Sequence, residues 1–378
     1  MIPGTQPPDR IRPESLIVWR DSAVSSSARP AFDGRASYFL DNHTVHALDK
    51  ASGALLWTTV LTYPTDLNST LRGAGLAIAA GLLIVGDIDV FGLDPQTGAI
   101  RWRFSPRTEF PNERAFQRLS SDGQTIYVGG VWGNLYAVDA ATGAQRWVSH
   151  VTTLPDSFVR VFNPVIDAHA VYVAFSDDRE SGKNANTDVG AAAFDLSTGR
   201  LLWSRILARD PGKLPIEPQG VALIDSRVIT IDARGDLLGL DKATGATVDS
   251  TPPLSRGTLS DTVSGYDVQL AASDAIVVVG SAAGPLLGVD ARNLNHLVWT
   301  STLHYGSVVD VATDSSRSYA VFAGGQFGVL DLATGRTVWW LDRAEIRPQG
   351  ENILSGPAVD GDRIYIGADH DVFAFQRR

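Results

Sequence analysis

The stretch Val45-His-Ala-Leu-Asp-Lys-Ala-Ser-Gly-Ala-Leu-Leu-Trp57 recurs with the same internal spacing almost to the end of the chain. Close copies of it end at Trp102, Trp147, Trp203 and Trp339. Two further copies are imperfect: one has Asp249 in place of the tryptophan, and the other, which leads to Trp299, lacks the glycine. The period of roughly 45 residues is typical of four-stranded propeller blades. The aspartates of the seven copies are Asp49, Asp94, Asp139, Asp195, Asp241, Asp290 and Asp331.

Each part of this motif has a role in a β-hairpin. The apolar run before the aspartate is typical of a buried strand, and the run that ends in tryptophan is typical of its hairpin partner. Between them, Asp and Thr or Ser can bind backbone N–H groups, and Gly supplies a left-handed residue that closes a bulged hairpin. The tryptophan offers one large apolar plate per repeat, so we predict that it packs on the neighbouring blade. The blade-docking set is Trp19, Trp57, Trp102, Trp147, Trp203, Trp299 and Trp339.

The two ends of the chain supply one more blade. Val372-Phe-Ala-Phe375 matches the strand before the motif aspartate, with Gln376 in the aspartate position, and no tryptophan strand follows it. Leu16-Ile-Val-Trp19 matches a tryptophan strand that has no preceding repeat. We therefore predict an all-β fold, an eight-bladed β-propeller of four-stranded antiparallel blades, closed by pairing of the N-terminal strand with the C-terminal strands. Residues 1–14 are expected to be a flexible lead-in and residues 15–378 a single propeller domain.

Composition excludes several classes of function. No run of 18 or more apolar residues is present, which excludes a transmembrane span. The chain has no cysteine, so disulfides, thiolate metal sites and a cysteine nucleophile are excluded. The seven histidines show no metal-ligand spacing. A formal net charge of −10 argues against nucleic acid as the principal partner.

The N-terminus bears on the location of the protein. It lacks the apolar segment of a secretion signal. We expect a periplasmic or extracellular protein whose signal has been removed, with the cytoplasm as the alternative. We also expect a monomer.

The motif and the mode of closure resemble the PQQ-like eight-bladed propellers, which are also described by their tryptophan-docking motif. The resemblance covers residues 15–376 and implies the propeller fold. The family includes quinoprotein alcohol dehydrogenases, the lipoprotein subunit of the outer-membrane β-barrel assembly machinery, and ligand-sensing ectodomains of bacterial kinases. For the dehydrogenases, the resemblance implies a pair of adjacent cysteines over the quinone and a calcium ion held by Glu, Asn and Asp near the axis. This chain has no cysteine, so we expect neither PQQ nor calcium, and we favour the assembly lipoprotein.

The turns predict where ligands would bind. Short turns such as Asp33-Gly34 and Asp360-Gly361 join first and second strands, so one face of the disc carries short turns and the other carries the long loops. Loops on a rigid scaffold are where binding usually resides. The long loops are predicted at Leu61 to Leu71, Ser105 to Phe116, His150 to Arg160, Ser176 to Asp188, Ala208 to Glu217, Ser250 to Asp267 and Asp342 to Glu351.

Charged residues in the links between blades are candidates for a funnel mouth. If they ring the axis, one half of the mouth is basic and the other acidic, which would orient a dipolar or anionic ligand; the alternative is a set of solvated rim charges. The basic residues are Arg29, Arg72, Arg114, Arg118 and Arg160. The acidic residues are Glu217, Asp267, Asp310 and Glu351. Further candidates for hydrogen bonds to a ligand in the channel, or for satisfied polar groups of inner strands, are Gln219, Gln269, His304 and Tyr305.

These features favour a non-catalytic binding scaffold, which presents its loop-rich face and central funnel to a protein segment or to a small polar or anionic ligand. The alternatives are an enzyme that uses the same funnel, either a quinoprotein oxidoreductase or a lyase or hydrolase, and a ligand-sensing ectodomain. Because Asp249 replaces a docking tryptophan, we also expect the interface beside that blade to be less apolar and locally mobile.

Overall fold

The computed structural model describes the chain in the ranges 13–26, 28–41, 43–63, 75–106, 113, 118–151, 158–178, 186–211, 217–218, 220–232, 235–251, 267–280, 285–301, 303, 308–322, 325–341, 355–368 and 370–377. A 3-10 turn, Pro13–Leu16, leads into the first strand, β1 (Ile17–Asp21). All other regular elements of the described residues are β-strands.

The strands form eight antiparallel blades around one axis, as predicted. Within a blade the chain meanders from the inner to the outer strand, so first-to-second and third-to-fourth turns share one face, here called the short-turn face. The opposite, loop-rich face carries the second-to-third turns and the links between blades.

Blade 1 consists of β2 (Ala31–Phe32), β3 (Ala36–Asp41), β4 (Thr44–Asp49) and β5 (Leu55–Val60). Blade 2 consists of β6 (Gly75–Ala79), β7 (Leu82–Gly86), β8 (Val90–Leu93) and β9 (Ile100–Phe104). Blade 3 consists of β10 (Ser120–Ser121), β11 (Thr125–Gly129), β12 (Asn134–Asp139) and β13 (Gln145–His150).

Blades 4 and 6 depart from the plain four-stranded pattern. The inner strand of blade 4 is split in two, and a short segment before blade 5 adds to blade 6 as a parallel strand. Blades 4 and 5 consist of β14 (Phe158–Val161), β15 (Val165–Ile166), β16 (Ala170–Asp178), β17 (Asn186–Asp195) and β18 (Leu201–Pro211), and of β20 (Ala222–Ile224), β21 (Arg227–Ile231), β22 (Leu237–Asp241) and β23 (Thr247–Ser250). Blade 6 consists of β24 (Asp267–Ala272), β25 (Ile276–Gly280), β26 (Leu287–Asp290) and β27 (Leu297–Thr300), with the added strand β19 (Glu217–Pro218).

The ring is closed by the two ends of the chain, as the sequence predicts. Strand β1 forms the outer strand of blade 8, where Ile17 lies opposite Phe375 and Asp21 lies opposite Val372. Closure therefore rests on main-chain pairing between residues at opposite ends of the sequence. Blades 7 and 8 consist of β28 (Val308–Thr313), β29 (Arg317–Phe322), β30 (Gln326–Asp331) and β31 (Thr337–Leu341), and of β32 (Ala358–Asp360), β33 (Arg363–Gly367) and β34 (Val372–Gln376) with β1.

The motif aspartate and glycine shape the third-to-fourth turn. The Oδ1 atom of Asp49 accepts hydrogen bonds from Ser52 N at 2.8 Å and from Ser52 Oγ at 2.7 Å. Gly53 has a φ of 75°, which favours glycine over any residue with a Cβ atom. A Cβ at this position would also lie 2.7 Å from the indole of Trp19. The glycine thus closes the turn and seats the tryptophan of the preceding blade.

The tryptophans join successive blades. In six of the seven cases the indole lies on the motif glycine of the next blade, and its N–H donates to the main-chain oxygen of the residue that follows the motif aspartate there. This bond is present in six interfaces, with donor–acceptor distances between 2.8 and 3.3 Å. The pairs are Trp19 with Lys50, Trp57 with Pro95, Trp102 with Ala140, Trp147 with Leu196, Trp203 with Lys242, and Trp299 with Leu332. The seventh, Trp339, is 2% exposed and packs against Phe375 in blade 8, but no described residue accepts a hydrogen bond from its Nε1.

Strands of blade 4 extend into three of the predicted long loops. The structure extends β16 to Asp178, begins β17 at Asn186 and carries β18 to Pro211, while β14 already begins at Phe158. The sheet of blade 4 therefore projects beyond its neighbours on the loop-rich face. The sequence does not indicate this extension because polar and acidic residues are typical of solvated loops. In the structure, Asp177 of β16 lies opposite Asp188 of β17, and both residues are buried. The greater part of each of the other predicted long loops lies outside the described residues.

Candidate functional site

The pairing register aligns one residue from each blade around the axis. In every blade a residue of the innermost strand lies opposite an equivalent residue of the second strand, as Ala31 does with Tyr38 in blade 1 and Ala312 with Tyr319 in blade 7. The residue two positions before this inner-strand residue, as Arg29 is before Ala31, lies at the end of the inner strand that is nearest the loop-rich face. We call this set the axial ring. In blade order its members are Arg29, Gly75, Arg118, Asn163, Gly220, Gln269, Asp310 and Gly356.

Contacts between blades show that the axial ring closes tightly. Asn163 and Gly220, in blades 4 and 5, form a parallel β-bridge. In blade 8, a Cβ atom added to Gly356 would lie 1.4 Å from Oδ2 of Asp310, so only glycine leaves space for this carboxylate. The ring is therefore the level at which side chains of different blades meet.

An ion-pair cluster crosses the axis at this level. Asp310 Oδ1 accepts a hydrogen bond from Arg29 Nη2 at 2.8 Å, and Asp310 Oδ2 accepts one from Arg29 Nε at 3.3 Å. Arg118 Nη2 also donates to Oδ2 of Asp310. Blades 3 and 7, which carry Arg118 and Asp310, lie four places apart in a ring of eight, so this contact spans the axis. Two guanidinium groups, from blades 1 and 3, thus converge on one carboxylate from blade 7.

The electrostatics of the cluster follow from its burial. The side chain of Asp310 is 1% exposed, and burial by itself raises the pKa of this carboxyl. Arg118 and Arg29 outweigh burial, so the pKa of Asp310 lies below its ordinary value and the group is ionised. Burial lowers the pKa of Arg118, and Asp310 offsets only part of this effect. One carboxylate is therefore shared between two guanidinium groups.

The other half of the axial ring is uncharged. Gln269 is 8% exposed and lies between Gly220 and Asp310 in the ring. The Oδ1 atom of Asn163 is buried, and within the described residues no donor contacts it. Two amides, one of them incompletely satisfied by the protein, therefore lie next to the ion-pair cluster.

The structure brings together four of the candidates proposed from sequence, Arg29, Arg118, Gln269 and Asp310. Arg160 is not a member of the ring, because it lies three residues before Asn163 in β14, with its guanidinium 5.9 Å from the ring centre of Phe162. The backbone of Glu217 and Asp267 lies in strands β19 and β24, but their side chains are outside the described residues. Candidates that lie wholly outside them are Arg72, Arg114, Gln219, His304, Tyr305 and Glu351.

Glu113, which the sequence did not single out, anchors a link between blades. Its side chain is 0% exposed and accepts hydrogen bonds from the backbone N–H of Val131 at 2.7 Å and of Trp132 at 3.3 Å. Asn134 Nδ2 donates to it at 2.7 Å and Tyr136 Oη at 3.1 Å. A lone glutamate in a polar link carries no sequence signal for such a role, since its donors come from the next hairpin.

A second polar cluster joins blades 1 and 2 on the loop-rich face. His43, with a φ of 68°, contacts the carboxylate of Asp87 through Nδ1, and Tyr63 Oη donates to Asp87 Oδ2 at 2.7 Å. Burial raises the pKa of Tyr63 well above its ordinary value, so the phenol remains a hydrogen-bond donor. Arg103 Nε donates to Asp89 Oδ2 at 2.6 Å. This cluster fixes the two turns relative to each other.

The residues at the axis do not match the cofactor set of quinoprotein dehydrogenases. The chain has no cysteine to form the adjacent pair, and the only acidic member of the axial ring, Asp310, is held by two arginines. Among the described residues, no group of three or more His, Cys, Asp or Glu side chains is arranged to hold a metal ion. No chemistry of PQQ or calcium is therefore assigned to this site, and the expectation that neither binds stays a prediction.

Comparison with known proteins relates the chain to one family and to two curated proteins. The family model described as "Outer membrane protein assembly factor BamB" matches residues 86–269 and 258–378. The chain is 28% identical over 223 residues to outer membrane protein assembly factor BamB of Nitrosomonas eutropha, covering 56% of this chain and 47% of that protein. It is 21% identical over 259 residues to tetrathionate hydrolase of Acidithiobacillus ferrooxidans, covering 57% and 47%. The chain thus spans about half the length of the curated relatives it matches.

A solved structure agrees over the whole fold. BamB from Moraxella catarrhalis superposes with a TM-score of 0.65 at 17% identity, covering 95% of this chain and 99% of that one. At this identity the likeness establishes the fold alone. The part of the chain that the structure describes contains no helix of the length and apolarity needed to span a bilayer.

Proposed function

We infer the function from the family to which this chain belongs, the family described as outer membrane protein assembly factor BamB. We propose that the protein is a non-catalytic binding scaffold that holds a protein segment on its loop-rich face within an envelope-associated complex. We further propose that it does so as a monomer in the periplasm or another extracytoplasmic compartment.

The observation that carries this proposal is the family match, which extends from residue 86 to the end of the chain. The fold adds a physical reason. Most successive blades are joined by an indole that is buried or partly buried and donates a hydrogen bond to the next blade, an arrangement that favours a rigid disc. A preorganised surface loses little conformational entropy on association, which favours affinity.

The loop-rich face offers one well-anchored aromatic residue for such a contact. Trp132 lies in the second-to-third-strand turn of blade 3, where its N–H donates to Glu113 and its carbonyl oxygen contacts His150 Nε2 at 2.7 Å. Its side chain is only partly buried. Tryptophan is one of the residue types enriched among the strong contributors to protein interfaces.

The experiment is capture of partners from bacterial envelopes by the tagged full chain, with cross-linking and mass spectrometry. We expect recovery of components of outer-membrane protein assembly. Trp132→Asp should reduce that recovery, whereas Gln96→Asp, which adds the same charge on the short-turn face, should not. Equal recovery by both variants, or no assembly component above the level of an unrelated propeller, would contradict the proposal.

A hydrolase is the second candidate. It is favoured by the similarity to tetrathionate hydrolase and by the two arginines that share one carboxylate at the axis, a positive site suited to an anionic substrate. The test is incubation of the purified chain with tetrathionate. If the wild-type chain consumes tetrathionate and the Arg118→Gln variant does not, the hydrolase is favoured over the scaffold.

A further inference from the structure

The axial ring holds more positive than negative charge. The guanidinium groups of Arg29 and Arg118 share the single carboxylate of Asp310, and the other members of the ring are uncharged. The cluster therefore sums to one positive charge at the mouth of the axis, in a chain whose formal net charge is −10. A fixed positive charge inside a concave protein surface attracts an anion.

The arginines keep donors available on the accessible side. In the described part of the chain, Arg29 uses Nε and Nη2 toward Asp310 and the oxygen of Val311, and Arg118 uses Nη2 toward Asp310. Their side chains remain 34% and 29% exposed, whereas that of Asp310 is 1% exposed. The carboxylate is thus covered, whereas part of each arginine side chain stays exposed.

The ring positions next to the two arginines carry glycine or an uncharged amide. Gly75, between Arg29 and Arg118 in the ring, contributes no side chain to the axis, and neither does Gly220 between the two amides. The amides of Asn163 and Gln269 carry N–H donors of their own.

We propose that the axial ring binds a small carboxylate anion. The guanidinium edges of Arg118 and Arg29 hold its oxygens, and the amides of Asn163 and Gln269 flank it. A planar guanidinium matches a carboxylate in bidentate geometry, as Arg29 already does with Asp310. The bound anion supplies the second negative charge that the two arginines lack.

This assignment deepens the proposed scaffold role by naming a ligand for its funnel. Its test uses the purified chain alone, so it fails or succeeds separately from the capture of protein partners. The probe is malonate, compared with sulfate and chloride at constant ionic strength, which keeps general screening equal.

The measurement is the melting temperature and the calorimetric affinity of the full chain. Malonate should raise the melting temperature in a saturable manner, and chloride should not. Arg118→Gln should weaken malonate about tenfold or more, because it removes a charge-assisted contact. Arg101→Gln, which breaks an Arg–Asp pair near the short-turn face, should leave malonate affinity unchanged.

A second variant guards against loss of folding. Asn163→Asp keeps the size of the side chain and places a carboxylate next to Arg118 in the ring. It should raise the melting temperature without malonate and weaken malonate about tenfold or more, because the chain then supplies the missing charge itself. A full malonate response in Asn163→Asp, or an equal response to chloride, would overturn the proposal. An equal response to sulfate would overturn the assignment to carboxylates.

Discussion

In blade 5 the guanidinium of Arg227 donates a hydrogen bond to the main-chain oxygen of Ala291 in blade 6. This oxygen follows the motif aspartate, and it is the acceptor that an indole N–H uses in other interfaces, as Trp57 does with Pro95. Asp249, which stands where the motif has tryptophan, lies 3.4 Å from Arg227 and accepts from Leu294 N at 2.9 Å. An arginine–aspartate pair therefore replaces the docking indole.

The interface beside blade 5 is polar at this point, as expected from the absence of the indole, but the core beneath it is continuous. Ile231 and Val277 belong to one apolar cluster that spans blades 5 and 6. Leu294 is 0% exposed, and a Cβ atom on Gly239 would lie 3.4 Å from it. The leucine thus fills part of the space that the indole would occupy.

Arg227→Leu should lower the free energy of unfolding by about 1–3 kcal/mol, because it removes the donor to the oxygen of Ala291 and the cation that pairs with Asp249 in a largely buried interface. The control is Arg101→Leu, which removes an arginine that is 56% exposed from its pair with Asp94 and should cost less. Urea unfolding measures both. Equal losses would show that Arg227 is an ordinary surface charge.

Glu113→Ala should cost roughly 2–4 kcal/mol of unfolding free energy, because several buried donors lose their common acceptor. Tyr136→Phe is the matched control: it removes only one of those donors and should cost about 1 kcal/mol. If Glu113→Ala costs no more than Tyr136→Phe, the glutamate does not anchor the link.

Acid should destabilise the motif turns at low pH. Arg101 holds the pKa of Asp94 at about 2, Arg146 does the same for Asp139, and hydrogen bonds from Thr198 and Ser197 do so for Asp195. The ordinary value is 3.8, so each depressed group stabilises the fold fully above that pH and loses its contribution as the pH falls toward 2. Melting temperatures of the wild type and Asp195→Asn should differ constantly above pH 5 and converge between pH 4 and 2. A constant gap down to pH 2 would contradict the assignment.

The sequence predicts the parts of the fold that repeat within one hairpin. Asp49, Gly53 and Trp57 lie within a single copy of the motif, and their spacing alone indicates strand, turn and packing plate. The closure of the ring was also accessible, because each end of the chain holds part of one repeat. Blade 4 is predicted correctly as a blade, but not the length of its strands, because the acidic strand extension resembles a solvated loop.

The axial ring is harder to find, since its members are held together by register between blades. Arg29 and Asp310 are 281 positions apart in the chain, and nothing local to either residue indicates the other. A signal was available: a ring residue precedes the motif aspartate by a similar interval in most blades, as Arg118 precedes Asp139 and Asp310 precedes Asp331. Alignment of the repeats on the aspartate would have grouped these residues, but not Glu113.

The central claim is that the ends of the chain join to close an eight-bladed ring, since the axis, the faces and the axial ring all depend on it. The chain has no cysteine, so a disulfide placed across the joint reports on it directly. Asp21→Cys with Val372→Cys places thiols at directly opposite positions of β1 and β34. Asp21→Cys with Ala374→Cys is the control, because Ala374 lies opposite Trp19 and a diagonal pair is too far apart to bridge.

Mild oxidation should convert the first variant to a monomeric, circularly linked species that migrates differently on a non-reducing gel and reverts on reduction. The control should remain linear. Failure of the first pair to form an intramolecular bond, or equal bonding in the control, would contradict the closed ring.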